Sequence, residues 1–457
     1  MPLKTELNVS GYRGVWGESL TEEIVRDYSR AFANFTKEAT SKENPTILVG
    51  RDGRESGPQI KEIILKELTN MGVNIVYGDI MPTPTVLFSV RKHSYDGAII
   101  ITASHNPIKY NGLKFINNKA LFSISEEVDK IKEYYEEELK VKIKKENTNK
   151  GVLIGDIPNF TKEHIDKIIA NVNVVAIRAK KFKVAVDMIN ASACVMYPYL
   201  AEQLGFELIP LNNIPTGKFA HRPEPLKENL SDIEKLVKDS GADLGFVHDP
   251  DADRLVMVDE HGEVISEEYS LAFGVENILS KNKGRNIVIN LSTSNMAMDI
   301  AKKYEGKTFR TKIGEGYVVD GILSNNAIIG GEGNGGVIYP TINTVRDSFT
   351  TLSLALELLA ERNQTVSECV EKLPKYFIKK DKWPISGNLF EMYSKLKIHF
   401  KEAKIDEQDG LRLDFSNKSW IHLRPSNTEP IIRLFGEAKT ENLINTLFKE
   451  VYLTLNP

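Results

Sequence analysis

Short Val- and Ile-rich runs alternate along the chain with stretches of helical period, and most of the apolar runs end abruptly in polar or glycine-rich residues. "TILVGRDGR", "VNIVYGD", "GAIIITASHNP", "KVAVDMIN", "ADLGFVHDPDADR", "NIVINLS" and "AIIGGEGNGG" read as buried strands that open into loops. Between them "GPQIKEIILKELTNMG", "SDIEKLVKDSG", "NMAMDIAKKY" and "FTTLSLALELLAERN" read as helices, several closed by glycine or asparagine. The charged run from Glu126 to Lys150 starts with helical spacing and then loses it, which predicts a solvated helix leading into a domain boundary. After Pro374 the pattern changes to a long helix, "LFEMYSKLKIHFKEA", three strand-like runs and a last helix from about Glu441, a smaller α+β module.

Three of the strands share a plan. "YDGAIIITASHNP", "GADLGFVHDPDAD" and "NNAIIGGEGNGG" each have a small or polar lead, a short apolar strand and a sudden polar loop. Ligands bind at the carboxyl ends of strands in such sheets, so the pattern predicts three related α/β units, each offering one loop to a common cleft.

The length of 457 residues and a hydrophobic content of 41% allow several cores, and at about 100–200 residues per domain predict three or four domains. With 63 acidic and 59 basic residues the net charge is −4, so no broad basic surface points to nucleic acid or anionic membrane; neither is expected as a partner. Cys194 and Cys369 match no metal or redox spacing and read as buried packing residues in a reducing compartment. The N-terminus lacks an apolar signal core and no stretch approaches the ~20 apolar residues of a membrane span, which makes the cytoplasm the expected location.

The most specific chemistry lies in "HDPDADR". Asp249, Asp251 and Asp253 alternate through a proline-constrained loop, read as solvent-facing, so that their carboxylates converge and call for a hard divalent cation. Oxygen-only ligands favour Mg²⁺ over zinc. An EF-hand fails because Arg254 stands where glycine is needed and a strand follows; an Asx-rich turn is the bland alternative. Three aspartates leave an octahedral ion short of ligands, and a phosphoryl group on Ser104, at the mouth of the "AIIITASHNP" strand, would supply the missing oxygen. A hydrolase reading of Ser104 is weak: Gly-x-Ser-x-Gly is absent, and the adjacent Ser104 and His105 are not expected to present their side chains to each other. A plain turn or N-cap serine is the simpler alternative. In "LRPSNTEPIIRL", Arg424, Ser426, Asn427 and Thr428, with Arg433 assisting, read either as a phosphate cradle or as a turn.

"TASHNP", "DPDADR", a Gly-Glu loop and "RPSNTEP", in this order over most of the chain, resemble the α-D-phosphohexomutases, the superfamily of phosphoglucomutase, phosphomannomutase and phosphoglucosamine mutase. The resemblance implies three related α/β domains with mixed sheets and a C-terminal domain like the TATA-binding protein around a central cleft, divided here at residues 1–150, 151–254, 255–370 and 371–457. It implies that Ser104 is the phosphoserine and a metal ligand beside Asp249, Asp251 and Asp253, with one Mg²⁺ per chain. Lys114 matches the lysine of proton transfer, Arg254 an active-site arginine, and "GYRG" brings Arg13 into the cleft; His105 joins this catalytic set. Arg424, Ser426, Asn427 and Thr428 would hold the non-transferring phosphate. The family's Gly-Glu-x-Ser-Gly-His is "GEGNGG" here, leaving Glu332 and Asn334 to meet sugar hydroxyls, unless the loop is mere hairpin geometry.

The implied activity is interconversion of hexose 6-phosphate and hexose 1-phosphate through a hexose 1,6-bisphosphate that also serves as activator. Glucosamine phosphate is the first expectation, with mannose and glucose phosphates next. A Mg²⁺-dependent sugar phosphatase and a catalytically dead sugar-phosphate sensor are the rival classes, and a monomer or homodimer is expected.

Overall fold

The repeated strand and loop plan takes form as a repeated sheet topology. The computed structural model describes residues 6–141, 148–385, 387–426 and 431–455. The first sheet contains β1 (Tyr12–Val15), β2 (Thr46–Arg51), β3 (Asn74–Ile80), β4 (Gly97–Ile101) and β5 (Tyr110–Ile116) in the order β1-β5-β4-β2-β3. β2 runs parallel to β3 and β4, whereas β5 is antiparallel to β4 and β1. The second has β6 (Lys183–Asp187), β7 (Glu207–Leu211), β8 (Leu244–His248) and β9 (Leu255–Val258) in the order β7-β6-β8-β9, with only β9 antiparallel. In the third, β10 (Ile287–Asn290) lies parallel between β11 (Thr308–Thr311) and β12 (Ile329–Glu332). In all three the strand that starts the parallel set sits between the next two, and the predicted functional loop leaves the third.

The central strands are apolar throughout because both faces are covered. Ile47, Val49, Ile99 and Ile101 pack on one side of the first sheet with residues of the helices Glu22–Thr40, Gly57–Asn70 and Ser125–Lys140. Leu48, Ala98 and Ile100 alternate to the other side, against the helix Thr83–His93 and Phe160. Local signals set the ends: Thr21 caps the first helix by accepting from the Ile24 N–H, and Gly205, Gly241 and Asn363 close three others in the left-handed conformation.

The chain divides into two compact units. One combines Pro2–Glu267 with Gly336–Val366, a return segment carrying β13 (Gly336–Ile338) and the helix Ser348–Arg362. The other combines Glu268–Gly335 with Ser367–Pro457. Its C-terminal part is an antiparallel sheet of β14 (Phe377–Pro384), β15 (Lys404–Asp406), β16 (Leu411–Asp414), β17 (Trp420–Pro425) and β18 (Ile431–Ala438), ordered β14-β18-β17-β16-β15. The helices Leu389–His399 and Glu441–Leu455 cover it, burying Leu396 and Phe448 with Leu413, Leu423 and Leu434. Four strands follow the first of these helices and one precedes it, where the hydrophobic pattern predicts three. β14 and β15 are the sheet edges, with few buried side chains and hence no apolar alternation to betray them. Cys194 and Cys369 are buried, and neither is in a disulfide. Among the described residues no helix is long and apolar enough to cross a membrane.

His422 on β17 is fully buried, with its Nε2 on the Asp409 carbonyl and its Nδ1 on the Ser292 hydroxyl. Burial pushes its pKa down to about 4, below the ~6.5 of an unfolded chain. The unfolded state therefore takes up the proton first, and stability that is whole above ~6.5 is lost progressively as the pH falls toward 4, by up to about 3 kcal/mol. Denaturant melts between pH 7.5 and 4 check this: His422→Gln should be less stable at pH 7.5 and flatter across the acid range than the parent.

Candidate active site

The loop from β4 to β5 holds Ser104 in the left-handed region, at φ +49°. Gly112 lets β1 approach it: a Cβ there would stand 2.3 Å from the Tyr12 carbonyl oxygen and 2.7 Å from that of Thr102. The left-handed turn also brings neighbouring side chains together, with Ser104 Oγ 3.2 Å from His105 Nδ1, contrary to the expectation from their adjacency. Ser104 Oγ donates to Asp249 Oδ2 at 3.3 Å, joining the β4 loop to the β8 loop.

Asp249, Asp251 and Asp253 gather with one oxygen of each within 4.8 Å of the others. They are fully buried, not solvent-facing as the polar sequence suggests; the walls come from segments distant in sequence. Each carboxylate commits an oxygen to the fold. Asp249 Oδ1 accepts the Asp253 and Arg254 N–H groups, Asp251 Oδ2 accepts Thr83 Oγ1 at 2.7 Å and Lys114 Nζ at 2.6 Å, and Asp253 Oδ2 accepts Arg346 Nη2 at 2.6 Å. Asp251 Oδ1 and Asp253 Oδ1 are left buried without a hydrogen-bond partner. Burial, then the charges of Asp253 and Asp251, drive the Asp249 carboxyl well above its ordinary pKa. Lys114 and Thr83 overcome burial at Asp251 and hold it below the carboxylate range. Three clustered carboxylates, two of them with a buried oxygen that no hydrogen bond uses, fit a hard divalent cation.

Cations surround the site. Arg254 Nε lies 3.8 Å from Asp253 Oδ1, and Arg13 Nη1 donates to Asn106 Oδ1 while its buried Nε has no partner. The Arg254 charge, then burial and Arg13, push His105 well below the usual imidazole pKa. Behind the loop, Ser348 Oγ donates to the Ala252 carbonyl and meets His248 Nδ1, while His248 Nε2 meets the Tyr197 hydroxyl.

The other unit holds the remaining candidates. Glu332 Oε1, at the end of β12, accepts from Asn290 Nδ2 at 2.8 Å and the Gly314 N–H at 3.2 Å; Asn334 Oδ1 is buried without a partner. Arg424 Nε faces Asp409 Oδ1 at 3.5 Å, and Asp409 Oδ2 accepts the Ile313 N–H. Successive backbone N–H groups thus tie the arginine to the glutamate. Arg433 lies opposite Arg424 on β18, and Ser426 N–H donates to the Ile431 carbonyl. Asn427 and Thr428 lie outside the described residues.

Models of the phosphoglucomutase/phosphomannomutase domains match in sequence order: the α/β/α domain I at residues 4–142, domain II at 162–262, domain III at 267–377 and the C-terminal domain at 388–454. The chain belongs to the phosphoglucomutase/phosphomannomutase family. A phosphoglucomutase/phosphomannomutase of Thermococcus kodakarensis is 35% identical, over 94% of this chain and 94% of its own. A phosphoglucosamine/phosphogalactosamine mutase of Sulfurisphaera tokodaii is 32% identical, over 96% and 97%. The crystal structure of a family protein from Burkholderia thailandensis superposes with a TM-score of 0.86 at 25% identity, covering 100% of this chain and 99% of that one.

Two residues that hold the aspartate cluster escape the sequence pattern. Thr83 stands at the start of a helix far from any motif. Arg346 precedes Asp347, whose side chain caps the Ser348–Arg362 helix by accepting from Phe349 and Thr350; that cap signal was the one clue that the arginine sits at a fixed position. Replacing Asp251 with Asn should lower Mg²⁺ affinity at least tenfold, read by titration calorimetry. Because the loop is buried and Lys114 loses its partner, the melting temperature of the metal-free protein should fall as well.

Proposed function

We propose that this chain is a cytoplasmic phosphohexose mutase, glucosamine phosphate its preferred substrate, with Ser104 as the phosphoryl carrier. The observation that supports this most is the approach of Ser104 Oγ to Asp249 beside two buried carboxylate oxygens that no hydrogen bond uses, with Lys114, Arg254 and Arg346 around them. Asp249, Asp251 and Asp253 would hold one Mg²⁺, which supplies positive charge to the oxygens of the transferring phosphoryl group.

The serine is primed by a hexose 1,6-bisphosphate. In the forward step the bond from phosphorus to Ser104 Oγ breaks as one forms to the free sugar hydroxyl, and the departing Ser104 Oγ takes a proton from Lys114, which takes up the hydroxyl's proton in its place; in the return step the bond from the other phosphorus to its sugar oxygen breaks as one forms to Ser104 Oγ, and the serine's proton passes by the same relay to the freed sugar oxygen. Arg254 and Arg346 spread positive charge over the reacting group, and Arg13 orients the loop through Asn106. His105, its Nδ1 3.2 Å from Ser104 Oγ, contributes a hydrogen bond to the serine. Glu332 and Asn334 meet the sugar hydroxyls, and Arg424 with Ser426, Asn427, Thr428 and Arg433 grips the phosphate that is not reacting. The sugar preference draws on the names of relatives: besides the Sulfurisphaera enzyme, a phosphoglucosamine mutase of Methanococcus vannielii is 33% identical over 90% of this chain.

Incubation with glucose 1,6-bisphosphate should add one phosphate to the intact mass, and Ser104→Ala should abolish both the addition and isomerisation. Inorganic phosphate released in step with turnover would identify a phosphatase instead. The two loops should also fail differently. Glu332→Gln should change the ratio of kcat/KM among glucosamine, mannose and glucose phosphates, whereas Arg424→Ala should weaken all three alike, by on the order of 1.5–3 kcal/mol for a lost bond to a charged group.

A further inference from the structure

Arg54 closes the run "TILVGRDGR", to whose loop the sequence pattern gives no chemical role, and its side chain is fully buried. All five of its guanidinium N–H groups are used. Nε donates to Asp52 Oδ2 at 3.0 Å, Nη1 to the carbonyls of Pro107 and Tyr110 at 2.9 and 2.8 Å, and Nη2 to those of Ser104 and Asn106 at 2.6 and 2.8 Å. Four carbonyls of one loop thus point at a single planar cation. Asp52 turns the same loop from its other end: its Oδ2 accepts from Thr102 Oγ1 at 2.7 Å, and that oxygen accepts the Ser104 N–H at 2.9 Å. The Phe219 ring covers the guanidinium, its centroid 4.9 Å from Cζ. The Phe219 loop closes tightly here, since a Cβ on Gly217, at φ +72°, would lie 2.1 Å from the Gly53 carbonyl oxygen.

Backbone carbonyls converging on one point repel each other, and Ser104 occupies a left-handed conformation that a residue with a Cβ disfavours. An ammonium, with three donors on one atom, could meet at most three of these acceptors; the planar fork meets four carbonyls, with a carboxylate on its fifth N–H. We infer that Arg54 is the positioning residue of phosphoryl transfer: with Asp52 and Thr102 it holds the Ser104 loop in the strained shape that presents Oγ toward Asp249, without touching substrate or metal. The inference rests on the reading of Ser104 as the phosphoryl carrier. Misplacing a reacting atom by about 1 Å costs on the order of 100-fold in rate, so the loss should appear in kcat.

Arg54→Lys keeps the charge and removes the fork, and Thr102→Val removes the acceptor of the Ser104 N–H. For each, phosphate uptake from glucose 1,6-bisphosphate is followed by intact mass, kcat and KM by steady-state isomerisation, and Mn²⁺ affinity by calorimetry. The expected result is a fall in uptake rate and kcat of about 100-fold for Arg54→Lys and about tenfold for Thr102→Val, with KM and Mn²⁺ affinity within threefold of the parent. A folded Arg54→Lys protein with parental uptake and kcat overturns the inference. Should that variant not fold, parental kinetics in Thr102→Val do the same, as does a loss of kcat matched by equal losses in KM and metal binding. Ser104→Ala, run in parallel, separates the two claims: continued phosphorylation of that variant removes the carrier reading itself, whereas its silence beside a fully active Arg54→Lys removes only the positioning role.

Discussion

Three carboxylates buried within 4.8 Å of one another are the constraint around which the larger unit is arranged. Like charges so close, and so shielded from water, would protonate or push apart unless opposed. Lys114, Arg346, Arg254 and Thr83 oppose them, and each comes from a different stretch of chain. One oxygen of each aspartate is occupied by that structural work. Of the others, Asp249 Oδ2 meets Ser104 Oγ, and Asp251 Oδ1 and Asp253 Oδ1 are buried without a hydrogen bond. A site of this kind is assembled by folding and is stable only while all of its contributors are present.

The sheets explain why so many segments reach one place. Parallel strands with helical crossovers bring their carboxyl ends to one edge, and in the first two sheets the third strand turns back into an antiparallel partner, β4 into β5 and β8 into β9. Ser104 and Asp249 stand at equivalent turns of the repeated plan. The return segment from Gly336 then brings a helix whose capping residue, Asp347, follows Arg346 and whose first residue, Ser348, holds the Ala252 carbonyl. In the other unit the tie from Arg424 through Asp409 to the loop at Gly314 links a charge on β17 to Glu332 on β12.

Much of this was legible in the sequence because it is local. Apolar runs ending in "TASHNP", "DPDADR" and "GEGNGG" specify buried strands that open into loops, and alternating aspartates on a short turn converge wherever the turn is placed. The edge strands β14 and β15 were not legible, because an edge in contact with water needs no buried face. Nor was the contact between Ser104 and His105, which depends on a single left-handed residue and not on spacing.

Residue types and their order determined that this chain is built of α/β units and where its loops lie, and they singled out a serine, three aspartates, a glutamate and an arginine as the candidates for its chemistry. Tertiary structure decided burial and pairing. It turned the aspartate loop from a polar surface turn into an enclosed site, recruited Thr83 and Arg346 from segments without a motif and Arg54 from a strand end given no chemical role, and set which carboxylate oxygen each would occupy. The physical reason is that burial and charge pairing are properties of what surrounds a side chain in space, and residues as far apart as Lys114 and Asp251 become neighbours only when separate sheets bring their strand ends together.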